Sequence, residues 1–260
     1  MPALMLSYQH GYHAGGPADL HKHIALASLL ALLTRKARPV TYMESHAGRG
    51  LYDLDGPQSA KTGEWKAGIG AADPAPGPYR DALDAVRAAH GPRAYPGSPG
   101  IARALLREGD RMVLMELHPA EHAALTEAFK APGVEIHRRD GCEGLLALSP
   151  PKPRKGLALI DPSYERKEEY AEIAVFTLDL ARKWPDAAIL LWYPVLAAGR
   201  HARMVERIRD RAPGTLVHEI AFAPHGGRTG GMTGSGLALV NPPHGAREIM
   251  RDYGAPRGME

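Results

Sequence analysis

The sequence predicts an α/β protein: a mainly parallel sheet with helices on both faces and an antiparallel last strand. Three observations predict it. Short apolar runs bounded by glycine and proline alternate with longer segments of helical period. One early run, Val40 to Glu44, leads into a turn carrying two glycines, SHAGRG. A later run, GLALIDPSY at 156–164, ends on a carboxylate, Asp161. In open α/β sheets ligands sit beyond the carboxyl ends of the strands, so both run ends mark the expected site.

At 260 residues the chain accommodates one large α/β domain with an insertion. Apolar content of 44% and charged content of 23% are those of a soluble globular protein. A net charge of +3, from 32 basic and 29 acidic residues, is weak evidence for a nucleic-acid partner. The single cysteine, Cys142, excludes an intramolecular disulfide and a cysteine-based zinc site and suits a reducing cytosol. No apolar run approaches the ~18 residues of a membrane span. The start, MPALMLSYQHGYHAGG, lacks a basic n-region and a long apolar core, so it is not read as a secretory signal. A cytoplasmic protein without a membrane partner is expected.

Residues 1–16 form an irregular arm with Tyr8, His10, Tyr12 and His13 close together, either a loose terminus or a lid over a site. Pro17 to Lys36 reads as a helix, with a first-turn proline and a wide leucine stripe. Asp19, Lys22 and His23 share one polar face of it, and from spacing alone that face belongs in solvent. His21 points elsewhere. Val40 to Glu44 is the first buried strand. The turn after it, with Gly48 and Gly50, lacks both the full dinucleotide fingerprint and the lysine of a phosphate loop. It suits a nucleoside cofactor without phosphates, such as S-adenosylmethionine.

Residues 53–97 interrupt the alternation and read as an inserted, mostly helical subdomain, with a helix from Tyr79 to His90. Ser98 and Pro99 start another helix, to about Arg107. Arg111 to Leu117 is the second strand, with Glu116 near its end in the position that accepts hydrogen bonds from ribose. A helix from Pro119 to Lys130 and a strand from Val134 to His137 follow. Asp140, before Gly141, is either an acceptor for a cofactor's adenine amine or a plain Asp-Gly turn.

The central strand, Gly156 to Ile160, comes next, then a helix to Lys183 and a strand from Ala187 to Val195. Gly199 to Arg211 is a helix with Arg200, Arg203, Arg207 and Arg211 on one side, a face suited to phosphates. Thr215 to Phe222 and Ser235 to Asn241 read as two adjacent antiparallel edge strands. The glycine-rich HGGRTGGMTG joins them, and the tail after Pro243 is expected to fray.

Asp161, Pro162, Ser163 and Tyr164 carry the chemistry. An adenine amine is a poor nucleophile because its lone pair is delocalised into the ring. An acceptor on each N–H draws the nitrogen towards a tetrahedral state. Asp161 and the Pro162 carbonyl supply two such acceptors, and Tyr164 would stack on the base, a contact worth ~1–3 kcal/mol. The base must be extruded or already unpaired. Taken alone, D-P-S-Y also suits an ordinary strand-ending turn.

MLSYQHGYHAGGPADLHKH, ESHAGRG, YPGSPGIAR, MELHP, RRDG, LIDPSYE, LWYPV and GMTGSG…NPP occur in one order along nearly the whole chain. In this the sequence resembles the RlmJ-type 23S rRNA adenine-N6 methyltransferases. The resemblance implies a Rossmann-like class I methyltransferase fold with an inserted helical subdomain. It implies S-adenosylmethionine as methyl donor, no metal, and one adenine of 23S rRNA as target, adenine 2030. It also implies cofactor contacts by His23, His46, Ser98, Glu116, Asp140 and Gly141, with Asp161 as the acceptor at the target amine. Tyr8, His10 and Lys22 would lie on the substrate side, with the arm closing over the site. The chain departs from the family's D-P-P-Y motif at Ser163, which leaves the Pro162 carbonyl in place.

The rival readings are a DNA adenine-N6 methyltransferase and a non-catalytic nucleic-acid-binding protein on the same scaffold. A metal site built from His10, His13, His21, His23 and His46 lacks a suitable spacing. No exposed heptad demands a partner subunit, so a monomer acting on protein-free or partly assembled rRNA is expected.

Overall fold

The computed structural model describes residues 9–223 and 232–251. Tyr8 and most of the glycine-rich stretch at 225–234 lie outside the described residues. The strands are β1 (Thr41–Glu44), β2 (Leu51–Asp53), β3 (Ala94–Pro96), β4 (Arg111–Met115), β5 (Val134–His137), β6 (Gly156–Ile160), β7 (Ala187–Leu196), β8 (Leu216–Ala221) and β9 (Met232–Val240). The main sheet runs β5-β4-β1-β6-β7-β9-β8. β5, β4, β1, β6 and β7 pair in parallel; β9 runs antiparallel to β7 and β8 antiparallel to β9. This is the Rossmann-like α/β architecture with an antiparallel edge. β6 stands at its centre, and the connection from β1 leads to β4 on one side while β6 lies on the other. That is a topological switch point, where such sheets bind ligands.

The helices are α1 (Pro17–Thr34), α2 (Pro57–Thr62), α3 (Pro78–His90), α4 (Ser98–Leu105), α5 (Pro119–Phe129), α6 (Gly141–Leu148), α7 (Glu169–Lys183), α8 (Arg200–Arg211) and α9 (Ala246–Arg251). Side chains alternate across the strands and feed two cores. Tyr42, Leu157, Leu159, Ala188 and Leu190 join the core under α1, α3 and α4. Met43, Ala158, Ile160, Ile189 and Leu191 join the one under α7 and α8.

The insertion differs in one respect from its mostly helical reading. Its two ends form the strands β2 and β3, paired antiparallel as a separate ribbon with Tyr52 opposite Tyr95. Both strands are too short for a period to register in the sequence. The expected fraying after Pro243 does not extend to α9, and residues 252–260 lie outside the described residues. α9 buries Ala246 and Met250 in the core beneath α1.

The largest departure concerns α1. Spacing alone put Asp19, Lys22 and His23 in solvent, yet all three are buried, as is His21. The helix lies over the sheet with its first turns at the carboxyl ends of the strands, so its polar face meets the site rather than water. Among the described residues, no helix is long and apolar enough to cross a membrane.

Gly141 shows how closely the strand ends pack. A Cβ there would lie 1.8 Å from the Ser45 carbonyl oxygen, which is backbone and cannot swing away. Gly141→Ala is expected to lose about 1–3 kcal/mol of unfolding free energy in urea titrations. A loss under about 0.5 kcal/mol, the size of an ordinary surface change, would mean that the two turns separate freely.

Candidate active site

The turn after β1 gives the site its floor. Gly48 and Gly50 have φ of 59° and 73°, in the left-handed region that glycine adopts without strain. The Gly48 N–H donates to Glu116 Oε2 at 2.8 Å, and the His118 N–H donates to Glu116 Oε1 at 2.7 Å. Glu116, just past β4, thus ties the glycine turn to the neighbouring strand end. Burial raises its pKa against those two bonds. Asp140, exposed at the end of β5, caps α6 by accepting from the Glu143 N–H at 2.8 Å. Ser45 Oγ lies 2.7 Å from His46 Nδ1, and burial lowers the pKa of that histidine.

Beside this turn sits Asp161. Its backbone N–H points to Ser45 Oγ at 3.4 Å, which places the tip of β6 against the tip of β1. Its side chain continues the alternation that sends Leu157 and Leu159 towards α1, and there it meets Lys22. Lys22 Nζ lies 2.5 Å from Asp161 Oδ2 and 3.1 Å from Asp19 Oδ1. Asp19 Oδ2 accepts from His10 Nε2 at 2.9 Å and from the Gly15 N–H at 3.0 Å. Burial alone would raise the Asp19 pKa, but His10 and Lys22 hold it well below the usual carboxylate range. The carboxylate at the strand tip is therefore ion-paired, and its backbone lies against Ser45, the first residue of the glycine turn.

Around this group lie two buried neutral histidines. His23 Nδ1 is 3.0 Å from the Tyr95 hydroxyl, while its Nε2 makes no hydrogen bond and has Asp19 Oδ1 at 3.8 Å. His21 Nδ1 is 2.8 Å from Ser235 Oγ, and its Nε2 is 2.9 Å from His218 Nδ1. Burial brings the pKa of each down to about 3. Behind them Glu44, at the end of β1, accepts from Ser98 and, at 2.8 Å, from the Tyr42 hydroxyl. Ser98 is thus turned into the protein towards Glu44. Burial outweighs both hydrogen bonds and lifts Glu44 to about 8.

Tyr164, expected to stack on the base, lies in the core in this structure. Its ring is buried against Tyr170, with centroids 4.6 Å apart, and its hydroxyl donates to the Trp192 carbonyl at 3.0 Å. In this conformation it offers no open face to a base. The structure brings together Asp161, Lys22, His10, His23, His46 and Glu116; Gly141 is a close-packing position against Ser45. Glu44 and Trp192 are partners that the sequence reading did not single out; Asp19 was placed on one helix face with Lys22 and His23 but given no role in the site. The arginines Arg200, Arg203, Arg207 and Arg211 are exposed along α8. Among the described residues no cluster of three or more His, Cys, Asp or Glu could hold a metal ion.

Comparison with known proteins gives this geometry a lineage. Residues 37–255 match the family model described as "Ribosomal RNA large subunit methyltransferase D, RlmJ". The chain belongs to the RlmJ family. It is 36% identical over 247 residues to the ribosomal RNA large subunit methyltransferase J of Escherichia coli, covering 92% of this chain and 88% of that one. The Haemophilus influenzae protein of the same name is 35% identical over 248 residues, with the same coverage. A crystal structure from Legionella pneumophila, 35% identical, superposes with a TM-score of 0.80 over 92% of each chain. In this RlmJ-family chain the buried polar cluster thus sits at the switch point of the sheet.

Glu44 makes the cluster's electrostatics testable. In the fold it keeps its proton up to about pH 8, whereas the unfolded chain releases it near the ordinary 4.5. Between those values the folded state binds more protons, so Glu44 makes stability fall as pH rises through that window. Glu44→Gln cannot ionise and is expected to show a flatter decline in melting temperature from about pH 5 to 8. Parallel profiles for the two proteins would assign the proton elsewhere.

Proposed function

We propose that the protein transfers a methyl group from S-adenosylmethionine to the N6 amine of one adenine in large-subunit rRNA. The family resemblance points to adenine 2030 of 23S rRNA. The observation that carries this reading is the Lys22 ammonium on Asp161. It is a nitrogen donor held at an acceptor on the tip of the central strand, beside the glycine turn. An exocyclic amine needs that same arrangement.

The residues at the strand ends fit the cofactor. A turn with two left-handed glycines gives close backbone approach, and Asp140 is an exposed carboxylate beyond β5. The buried His23 Nε2 makes no hydrogen bond. His23, His46, Glu116 and Asp140 would hold the cofactor, with Gly141 and Ser98 shaping the turns behind it. The donor supplies an electrophilic methyl on a sulfonium and carries no phosphate, so no phosphate-loop lysine is needed.

The chain's own residues then act on the amine. Asp161 accepts one N–H and the Pro162 carbonyl the other, which returns the lone pair to the nitrogen. Lys22 gives up Asp161 but keeps Asp19, so its charge is never left unpaired. The surplus proton on the methylated nitrogen passes to Asp161 and on to water. The positions of these groups, rather than any covalent step on the protein, account for the rate.

Residues 9–16 of the arm rest on the inserted subdomain 53–97. Gln58 donates to Gln9 at 2.8 Å, Ser59 to the Gly11 carbonyl at 3.1 Å, and Thr62 to the Tyr12 carbonyl. That attachment at the rim of the site supports the reading of the arm as a lid, carrying His10 with it. The protein would act as a cytoplasmic monomer on rRNA that is protein-free or partly assembled.

Labelled S-adenosylmethionine offered with rRNA transcripts and with duplex DNA tests the proposal. Transfer to an adenine of the rRNA is expected. Transfer to duplex DNA alone would replace it with the DNA reading. Asp161→Ala is expected to lose at least about 10²–10³-fold in turnover, the scale for a lost transition-state contact. Its cofactor affinity by calorimetry should stay near wild type. Near-normal turnover in that variant would place the acceptor on another residue.

A further inference from the structure

We infer that one flank of α8, carrying Arg200, Arg203, Arg207 and Arg211, holds the sugar–phosphate backbone of the RNA strand next to the target adenine. This rests on the rRNA-methylation reading and adds the surface that grips the strand outside the base pocket. All four arginines are exposed. At 3.6 residues per turn they line one flank of the helix over about 16 Å. Met204, Val205 and Ile208 turn into the core instead. His201, Val205 and Arg209 face β8 across a cleft that Val217 and Glu219 also line. The arginine flank is the other one, beside α7.

Two observations aim this flank at the site. α8 starts just beyond the carboxyl end of β7, after Gly199 turns the chain with φ of 61°. Burial raises the Tyr170 pKa and the Arg200 guanidinium opposes it, so the first arginine lies near that phenol. The Tyr170 ring is in turn 4.6 Å from that of Tyr164, three residues beyond Asp161. The stripe thus begins at the loop of the acceptor and runs away from it. It is also uncompensated. Among the described residues none of the four arginines makes an ion pair or a side-chain hydrogen bond, not even with Glu206 or Asp210 of the same helix. The acids of α7 are already taken. Arg166 pairs with Glu169 at 3.6 Å and with Glu172 at 2.7 Å, and Arg182 pairs with Asp179. Like charges three and four residues apart repel along a helix, and a row of phosphates turns that repulsion into attraction. In a chain with a net charge of only +3, four such arginines concentrate positive potential beside the acceptor loop.

The test uses the full chain with an rRNA transcript, measuring methyl transfer and, by filter binding over a salt series, affinity. Wild-type transfer is checked first, and its failure would overturn the methylation reading itself. Given transfer, the triple variant Arg200→Gln, Arg203→Gln, Arg207→Gln is expected to raise KM for RNA roughly 3- to 150-fold, three contacts each the size of a surface ion pair, with kcat near wild type. Its plot of log affinity against log salt should be shallower by about 2, from ~0.7 per phosphate of a single strand. Arg200→Lys, Arg203→Lys, Arg207→Lys keeps the charge and should restore most of that slope. Arg35→Gln, Lys36→Gln, Arg38→Gln removes the same charge from the exposed turn between α1 and β1, at the amino ends of the strands, and should leave KM and slope near wild type. In the wild type, RNA is expected to shield the four arginines of α8 from phenylglyoxal, read by peptide mass spectrometry. Unchanged KM and slope in the first variant would overturn the inference. So would an equal loss in the variant of the α1 turn, or equal phenylglyoxal modification with and without RNA. The wild-type modification decides the matter even if a variant fails to fold.

Discussion

Lys22 is held between two carboxylates with almost no access to water, and the site depends on that contact. Its side chain is 4% exposed, that of Asp19 3% and that of Asp161 10%. Removing such ions from water costs several kcal/mol each, and their mutual attraction offsets that only with close geometry and further hydrogen bonds. Here those are the His10 ring and the Gly15 N–H on Asp19. For the mechanism proposed above, the consequence is that Asp161 is desolvated when the protein folds, not when substrate arrives. An incoming amine would exchange with an ammonium at an acceptor already in place. This is electrostatic preorganisation in its usual sense, with the reorganisation completed in advance.

The period of the strands explains why one helix can reach the whole cluster. Glu44, Asp161, Trp192, Ser235 and His218 each continue the side of its strand that faces α1. α1 answers with Asp19, His21, Lys22 and His23 in its first turns. Five strands and the first turns of one helix therefore meet without any long loop. A one-residue slip in β6 would send Asp161 to the opposite face, towards α7, and leave Lys22 with a single carboxylate.

The fold was legible because its signals are local. The alternation, the glycine turn and the strand ending on Asp161 can each be read within a few residues. The antiparallel pair at the edge could be read from its two apolar runs. The polar face of α1 was not legible from spacing, because spacing shows which residues share a face but not what covers it. Only the docking of α1 across the carboxyl end of the sheet makes Asp19, Lys22 and His23 interior. Trp192 was hidden for a similar reason. Within LWYPV it reads as one more buried strand residue, and the Lys22 ammonium 5.8 Å from its ring comes from another element. Tyr164, whose place beside Asp161 suggested a stacking ring, has φ of 53° and its ring is buried in this structure.

The two buried histidines complete the charge balance of the cleft. His21 and His23 lie on either side of Lys22 in sequence, and protonating either would add a cation next to one already buried. Burial keeps both neutral. The cluster around Lys22 then holds two carboxylates, Asp19 and Asp161, against the Lys22 ammonium and the His10 ring on Asp19. A sulfonium is itself a cation, and a cleft crowded with imidazolium charge would repel it. Neutral rings supply hydrogen-bonding edges, at Tyr95 and Ser235, without that repulsion. The desolvation that suppresses the histidines therefore also suits the site to a positively charged methyl donor.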